Sequence, residues 1–217
     1  MPKLRVHNYT MSLDGYSAGP NQSRENPMGE GAEALHPWMI ATAFGQTMFG
    51  NDGGTTGIDN DFASRFGDGI GAYIMGRNMF GPVRGPWPDE SWRGWWGENP
   101  PYHCDVFVLT HYPRPPLEMD GNNTFHFVQD DISTVLEHAF EAAGGLDVQV
   151  GGGASTVRQY LGAGLIDEVN LAISPILLGS GERLFDDGLD AAAAGYEVAQ
   201  TVAGENATHV RLVRSAR

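Results

Sequence analysis

The chain has 217 residues, enough for one domain with a full hydrophobic core, and its formal net charge is −14. A chain this acidic is repelled by a polyphosphate backbone, so we expect no nucleic-acid partner. Cys104 is the only cysteine, which excludes an internal disulfide and argues for a reducing compartment. Lys3 is the only lysine.

The amino-terminal half alternates short strands with glycine-rich segments. Residues 3–11 alternate in polarity (Leu4, Val6 and Asn8 against Arg5, His7 and Tyr9) and predict a first strand, while residues 32–46 predict a helix. Residues 50–71 are too rich in Gly and Asp for regular structure and predict an inserted loop. "AYIMG" (72–76) predicts a short buried strand, and a second loop, rich in Pro, Gly and Trp, covers about 84–102.

The carboxy-terminal half alternates strands and helices and ends in a hairpin. "CDVFVLT", "DVQV" and "IDEVNLAISPILLG" predict strands, and "DDISTVLEHAFEAAGG" and "STVRQYLGAG" predict helices. "YEVAQTV" and "THVRLVR" alternate on either side of "AGEN", which predicts an antiparallel hairpin. The order predicts an α/β fold whose sheet is mainly parallel. No apolar run is long enough for a signal peptide or a membrane span, so we expect a cytoplasmic protein without a membrane partner.

Three glycines, Gly151, Gly152 and Gly153, stand between a strand and a helix. Backbone N–H groups at the start of a helix bind phosphates, and absent Cβ atoms allow a pyrophosphate to approach closely. A tight turn without a ligand is the alternative. A P-loop is excluded because no lysine follows the glycines, and the Rossmann fingerprint fails because its sixth position is Thr156.

Two further strand ends carry groups that can bind an anion. Gly76 and Arg77 follow "AYIM", and Thr110, His111 and Arg114 follow "VFVL". Arginine suits bidentate capture of a phosphate such as the 2′-phosphate of NADP. Ligands of open α/β sheets bind at the carboxyl ends of the strands, where these residues would meet.

The motifs "MSLDGYSAG", "YIMGRNMF", "VFVLTHYPR" and "VQVGGGASTVRQYL" together resemble the dihydrofolate reductase superfamily. The resemblance is closer to the stand-alone branch related to the C-terminal reductase domain of the riboflavin-biosynthesis deaminase-reductase, and it spans roughly residues 3–213. It implies a three-layer α/β/α fold in a single domain, residues 1–217. It also implies an NADPH-dependent reductase of a small heterocyclic substrate, pterin- or aminopyrimidine-like, with 5-amino-6-(5-phosphoribosylamino)uracil among the candidates.

The resemblance also implies a cofactor site. Its expected members are Gly76, Arg77 and Asn78 along the phosphates, Thr110 and His111 on the adenosine side, and Gly151, Gly152, Gly153, Ala154 and Ser155 around the pyrophosphate. The chain departs from the family pattern at Met79, where a threonine is common, and at Val150, where the riboflavin-type reductase carries a glutamate.

On the substrate side, the resemblance points to Asp14 as the catalytic residue and to Ser12, Asp14 and Trp38 as substrate-binding residues. The alternative for Asp14 is an Asp-Gly turn that ends the first strand. Folate reductases carry an acid shortly after a Pro-Trp pair, and no carboxylate follows Pro37-Trp38 here.

The remaining patterns leave alternatives open. The histidines show no metal-ligand spacing, so we expect no metal. The tryptophans of residues 84–102 either form an aromatic lid or pin the loop to the body. Because the terminal hairpin would leave an apolar edge bare, we expect a homodimer. A non-catalytic dinucleotide-binding homodimer is the alternative function.

Overall fold

The computed structural model describes residues 1–82, 84–185, 189 and 195–215. Its strands are β1 (Leu4–Ser12), β2 (Tyr16–Ala18), β3 (Ile70–Gly76), β4 (Asp105–Leu109), β5 (Leu117–Met119), β6 (Asn123–Val128), β7 (Asp147–Gly152), β8 (Glu168–Ser174), β9 (Glu182–Arg183), β10 (Tyr196–Ala203) and β11 (Thr208–Arg214). Its helices are α1 (Pro37–Ile40), α2 (Ala43–Met48), α3 (Ile58–Ala63), α4 (Arg77–Phe80), α5 (Ile132–Ala142) and α6 (Ala154–Gly162), with a 3₁₀ turn at Ala32–Leu35.

Nine strands of the described chain form one sheet in the order β10-β11-β8-β1-β7-β3-β4-β6-β5. The six central strands, from β8 to β6, are all parallel, whereas β5, β11 and β10 are antiparallel to their neighbours. The predicted fold class, a mainly parallel α/β sheet with an antiparallel carboxy-terminal hairpin, is therefore confirmed.

Helices α5 and α6 cover one face of the sheet. Asp131 caps α5, since its carboxylate accepts hydrogen bonds from the backbone N–H groups of Ser133 and Thr134. The apolar stripe of α5 meets strand residues in the main core, where Val135, Ala139 and Val148 are fully buried. This packing fixes where β7 ends and α6 begins.

The opposite face is covered in two parts. Helices α1 to α3 lie over β8 and β11, where Trp38 packs with Ala172 and Ala207. The loop of residues 84–102 lies over β3, β4 and β6, where Trp87 and Trp92 pack against an aromatic cluster around Phe80. Residues 84–102, all of which are described, contain no helix or strand.

Strand β1 differs from its predicted alternation. Leu4 and Val6 face the main core as predicted, but Tyr9 and Met11 follow them there instead of Asn8. A bulge shifts the pairing with β8 between Val6 and Tyr9, and Asn8 has a φ of 55°. Asparagine tolerates this left-handed conformation, so one extra residue reverses the faces of the second half of β1.

Two predicted segments are wrong in detail. The helix predicted for residues 32–46 is three short pieces, because Pro37 begins α1 and Thr42 caps α2. The segment 50–71, predicted to lack regular structure, contains α3 and the first residues of β3. Glu205 stabilises α3 from outside, since its carboxylate accepts hydrogen bonds from the N–H groups of Ile58 (3.1 Å) and Asp59 (2.9 Å).

In the described residues, none of the helices combines the length and apolar character that crossing a membrane requires.

Candidate cofactor and substrate site

The carboxyl ends of β1, β7, β3 and β4 lie side by side at one edge of the sheet. These strands are parallel neighbours, and they end at Ser12, Gly152, Gly76 and Leu109. The edge therefore brings together the three glycines, Arg77, Thr110 and Asp14, as the sequence predicts. It is the position at which open α/β sheets bind ligands.

The glycine run has the backbone geometry of an anion-binding turn. Gly152 and Gly153 have φ angles of 139° and 53°, which residues with a side chain seldom adopt. Helix α6 begins directly after them, at Ala154, and no described side chain caps it. Its first N–H groups, at the positive end of the helix dipole, are thus available to a negatively charged ligand.

Met79 packs directly on this turn. A Cβ atom placed on Gly152 would lie 3.2 Å from the Met79 sulfur, so the methionine fills the space beside the glycine backbone. The side chain is 38% exposed. Met79 therefore gives this part of the site an apolar surface.

Gly76 is required by packing. A Cβ atom at this position would lie 2.5 Å from the Thr156 hydroxyl oxygen of α6. A larger residue at this position would displace the Thr156 side chain of α6, which packs on the end of β3. Arg77 and the half-buried Asn78 follow at once in α4, at the end of a strand that pairs with β7.

Arg77 is held by Thr110 and by an aromatic ring. Its Nη1 donates to the Thr110 hydroxyl at 3.2 Å, and its guanidinium carbon lies 3.3 Å from the centre of the Trp87 ring. Its Nε and Nη2 atoms are buried without a hydrogen-bond partner in the described chain. Burial and the positive charge of Arg114 lower the pKa of Arg77. Thr110 thus orients the arginine, and the described residues leave its Nε and Nη2 atoms without an acceptor.

The other predicted cofactor residues offer different groups. Ala154 is 6% exposed and contributes backbone alone. Ser155 is exposed in the first turn of α6, and His111 is exposed beyond β4. Gly151 still belongs to β7 and has an ordinary strand conformation.

Asp14 ties the end of β1 to the segment after β8. Its Oδ1 accepts from the Ser12 hydroxyl (2.5 Å) and the Leu178 N–H (3.1 Å), and its Oδ2 accepts from the Gly179 N–H (2.7 Å). The hydrogen bond from Ser12, followed by those from the backbone, lowers the pKa of Asp14 to about 2. At neutral pH this carboxylate can accept a hydrogen bond, but it holds no proton to donate.

The structure places the other two predicted substrate residues inside the protein. Ser12 is fully buried; its hydroxyl donates to Asp14 and accepts from the Tyr16 N–H, so it orients Asp14 and leaves no surface for a ligand. Trp38 is 1% exposed, and its Nε1 donates to the Thr10 hydroxyl at 3.1 Å. The expected direct contact of Trp38 with a substrate is therefore wrong, and the ring is a core residue behind β1.

Changing Asp14 to Asn is expected to lower the melting temperature at pH 6, because the amide nitrogen replaces one carboxylate oxygen and cannot accept a hydrogen bond, so either the Leu178 or the Gly179 N–H loses its acceptor. The folded pKa lies below the ordinary value of 3.8, so the stabilisation is present above about pH 4 and is lost as the pH falls towards 2. Melting curves recorded from pH 6 to pH 2 should show that the difference in melting temperature between wild type and variant shrinks as the pH falls from about 4 towards 2. The exposed Asp52→Asn is the control, and an equal difference at every pH would contradict this assignment.

The tryptophans of residues 84–102 largely pin their loop to the body. Trp92 donates its Nε1 hydrogen to the Phe80 carbonyl (2.9 Å), and Trp87 donates to the Tyr112 carbonyl (2.7 Å). Trp96 differs, since it is 41% exposed and stacks on Phe49 with ring centres 6.2 Å apart. The loop thus has a fixed part and an exposed aromatic tip.

The packing of both Arg77 and Arg114 against Trp87 was not expected from the sequence. Arg114 lies 4.5 Å from the centre of the same Trp87 ring. The sequence does show that Arg114 follows β4, at the edge where ligands bind. It does not show which of the four tryptophans in the irregular loop of residues 84–102 packs against the two arginines.

Comparison with protein families agrees with this geometry. The family described as the RibD C-terminal domain matches residues 2–213. The chain therefore belongs to the RibD C-terminal domain family, and the predicted membership in the dihydrofolate-reductase-like, riboflavin-reductase branch is confirmed. This family places the chain in a superfamily of reductases.

Individual relatives are more distant. The uncharacterized protein YyaP of Bacillus subtilis (strain 168) is 31% identical over 96 residues, which are 42% of this chain and half of that protein. A pyrimidine reductase-like protein of Corynebacterium diphtheriae is 14% identical, with a TM-score of 0.54 over 100% of this chain and 93% of the other. A diaminohydroxyphosphoribosylaminopyrimidine deaminase/5-amino-6-(5-phosphoribosylamino)uracil reductase of Thermotoga maritima is 12% identical, with a TM-score of 0.56 over 99% of this chain and 57% of the other. At these identities, the two structures share the fold.

Proposed function

We propose that the protein is an NADPH-dependent oxidoreductase that transfers hydride to a small heterocyclic substrate, pterin- or aminopyrimidine-like. The observation that carries the proposal is the uncapped start of α6 behind Gly152 and Gly153, beside an arginine with unpaired donors. NADPH has negative charge at two points, its pyrophosphate and its 2′-phosphate, and the edge of the sheet offers a binding group for each.

The residues present fit such a cofactor. Helix α6, which begins after the glycine turn, has no described side-chain cap, and the buried Nε and Nη2 atoms of Arg77 lack an acceptor in the described chain. NADPH, when bound, would supply the hydride. The turn and α6 would hold its pyrophosphate, Arg77 would bind the 2′-phosphate, and Thr110 would keep Arg77 in place.

An exposed apolar surface continues from the glycine turn and suits a planar ring. It consists of Met79, which packs on Gly152, Trp96, which lines a small cavity together with Met79, and Phe49, which stacks on Trp96. Aromatic rings stack on flat heterocycles, and apolar walls exclude water from hydride transfer.

Asp14 is our proposed polar contact for the substrate. Each carboxylate oxygen has two acceptor sites, and Oδ2 uses one of them for Gly179. The remaining site can accept from a ring N–H or a hydroxyl group. Because Asp14 is ionised, the proton that completes reduction must come from water. At the position where the riboflavin-type reductase carries a glutamate, this chain has Val150, which is buried in the core. That position therefore supplies no acidic group to a substrate.

A second candidate, a non-catalytic dinucleotide-binding protein, is favoured by the same lack of a proton donor. At this end of the sheet the carboxylates of Asp14 and of the buried Asp59 accept hydrogen bonds from neighbouring groups. Stopped-flow oxidation of bound NADPH with pterins and aminopyrimidines separates the two, since only the reductase oxidises NADPH.

Changing Gly152 to Ala is expected to weaken NADPH binding about tenfold or more. Alanine cannot keep a φ of 139°, so the turn must rotate and its N–H groups must move. Gly144→Ala is the matched control, because Gly144 also has a positive φ (59°) but lies after α5 with nothing near its Cβ position. Isothermal titration should show loss of binding in the first variant only; equal binding by both would contradict a phosphate role for the turn.

We also propose a homodimer. Strand β10 is an edge strand with most residues exposed, and Val198 is 62% exposed on it. Apolar edges are seldom left uncovered. Sedimentation at micromolar concentration should give the mass of two chains, and Val198→Lys should shift it towards one. A wild type that sediments as a monomer would remove this proposal.

A further inference from the structure

The apolar surface beside the glycine turn is built from two separate parts of the fold. Phe49 ends α2, where its backbone N–H donates to the Gly45 and Gln46 carbonyls, and Trp96 belongs to the loop of residues 84–102. Their rings stack with centres 6.2 Å apart and planes inclined by 24°. Together with Met79, which lines a small cavity with Trp96, they form what we call the aromatic wall.

The aromatic wall is exposed although it is apolar. Phe49 is 49% exposed, and Trp96 and Met79 are exposed to a similar extent, so the stack leaves much of each side chain in water. Single exposed apolar residues are common, but a contiguous group of them marks a surface that binds a ligand or a partner. Because Met79 also packs on Gly152, the wall adjoins the place proposed for the cofactor.

Two leucines beside Asp14 are also exposed. Leu13 precedes Asp14 in the chain, and Leu177 precedes Leu178, whose N–H donates to the Asp14 carboxylate. More than half of each leucine side chain is exposed, and the Leu13 N–H donates to the Ile176 carbonyl at 2.9 Å, which holds the two segments together. The carboxylate that we propose as the polar contact of the substrate therefore has exposed apolar side chains beside it.

The charges near the site disfavour a phosphate on the substrate. Asp14 is ionised at neutral pH, and the ion pairs formed among the described residues do not include it. Arg93, which lines the same small cavity as the aromatic wall, is engaged by Glu98 at 3.1 and 3.0 Å. Arg183 is engaged by the Asp14 backbone carbonyl at 3.0 Å and lies 4.7 Å from the centre of the Tyr16 ring. A negatively charged substituent would be repelled by Asp14 and would lose hydration against the wall.

We propose that the substrate carries an uncharged aryl substituent on its heterocycle and that Phe49 and Trp96 select it. This inference rests on the proposed function and narrows its substrate class. The heterocycle donates an N–H group to the Asp14 carboxylate, and the aryl group packs against the aromatic wall, which releases water from both apolar surfaces. The compound 5-amino-6-(5-phosphoribosylamino)uracil, one of the candidates expected from the sequence, would place a phosphate there instead.

The test is isothermal titration of three pterins into the protein saturated with NADP⁺, the oxidised cofactor, so that no turnover disturbs the measurement. The probes are pterin, 6-phenylpterin and the phosphate ester of 6-hydroxymethylpterin, which share one heterocycle and differ in the substituent. We expect 6-phenylpterin to bind about tenfold or more tighter than pterin, because the phenyl group is buried against the wall. The phosphate ester should bind no tighter than pterin.

Variants of the wall show whether it causes this difference. Phe49→Ala and Trp96→Ala should each reduce the advantage of 6-phenylpterin to about threefold or less, while NADP⁺ binds within about twofold of wild type. Trp96→Phe keeps a ring for stacking, so it should retain most of the advantage and guards against a loss caused by misfolding. Leu146→Ala is the control, since Leu146 is 51% exposed but precedes β7 at the opposite edge of the sheet.

Each outcome decides the inference. Loss of the phenyl advantage in both alanine variants supports it. Tighter binding of the phosphate ester than of 6-phenylpterin, or unchanged binding of 6-phenylpterin by both alanine variants, overturns it. If no pterin binds while NADP⁺ does, the inference is overturned and the cofactor part of the proposed function stands. If both alanine variants sediment with a lower mass than wild type, the wall is an interface between two copies, and the inference is again overturned. If the wild type binds no NADP⁺, the proposed function fails, and this inference fails with it.

Discussion

Replacing Asp59 by alanine is expected to lower the free energy of unfolding by about 3–5 kcal/mol, the usual result of removing one partner from a buried pair. Asp59 is 1% exposed and His209 is 2% exposed, and Asp59 Oδ1 lies 2.8 Å from His209 Nε2. Asp59 Oδ2 accepts from the backbone and side chain of Asn206. The substitution would leave all three donors without an acceptor.

The measurement is thermal or urea-induced unfolding. At about 2–4 °C per kcal/mol for a chain of this size, the melting temperature should fall roughly 6–20 °C. Asp61→Ala is the control, since Asp61 lies in the same helix and is exposed. A loss below about 1 kcal/mol, the typical effect of an ordinary substitution, would contradict the role given to Asp59.

This pair also supports the end of β1. His209 stacks on Phe62 with ring centres 4.1 Å apart and meets Trp38 edge-on at 5.1 Å. Trp38 in turn donates to Thr10, two residues before Ser12. Asp59 therefore fixes α3 and the β10–β11 turn behind β1, the strand that leads to Asp14.

Replacing Arg77 by alanine is expected to weaken NADPH binding about 10- to 150-fold, because charge-assisted hydrogen bonds contribute roughly 1.5–3 kcal/mol. NADH, which lacks the 2′-phosphate, should bind nearly as before. Titration of both cofactors measures the difference, and Arg84→Ala, an exposed arginine of the neighbouring loop, serves as control. Equal losses for NADPH and NADH would show that Arg77 does not bind this phosphate.

The parts of the fold with strong local signals were predictable from sequence. The α5 stripe, the Gly151–Gly153 turn and the terminal hairpin each depend on neighbours within a few residues, and all lie where the pattern places them. Helix α3 was missed because it is stabilised from elsewhere. Glu205 caps it and the hairpin turn binds Asp59, contacts 146 or more residues apart in the chain.

The candidate site was also predictable in part: the sequence indicated which residues end the strands, but not which of them are buried. The residues at strand ends were correctly expected at one edge, because parallel strands impose that arrangement. Burial, however, depends on the whole fold, and it removed Trp38 and Ser12 from the substrate side. The bulge at Asn8 was visible in the apolar spacing of Leu4, Val6, Tyr9 and Met11, although regular alternation was the simpler interpretation.

The most direct test of the account is isothermal titration of the wild-type protein with NADPH and NADH under identical conditions. We predict one NADPH bound per chain, with at least about tenfold higher affinity than NADH, since the proposed glycine turn would bind either cofactor whereas Arg77 would have a partner only in NADPH. Absence of binding by both, or equal affinity for the two, would contradict the assignment of this edge as an NADPH site.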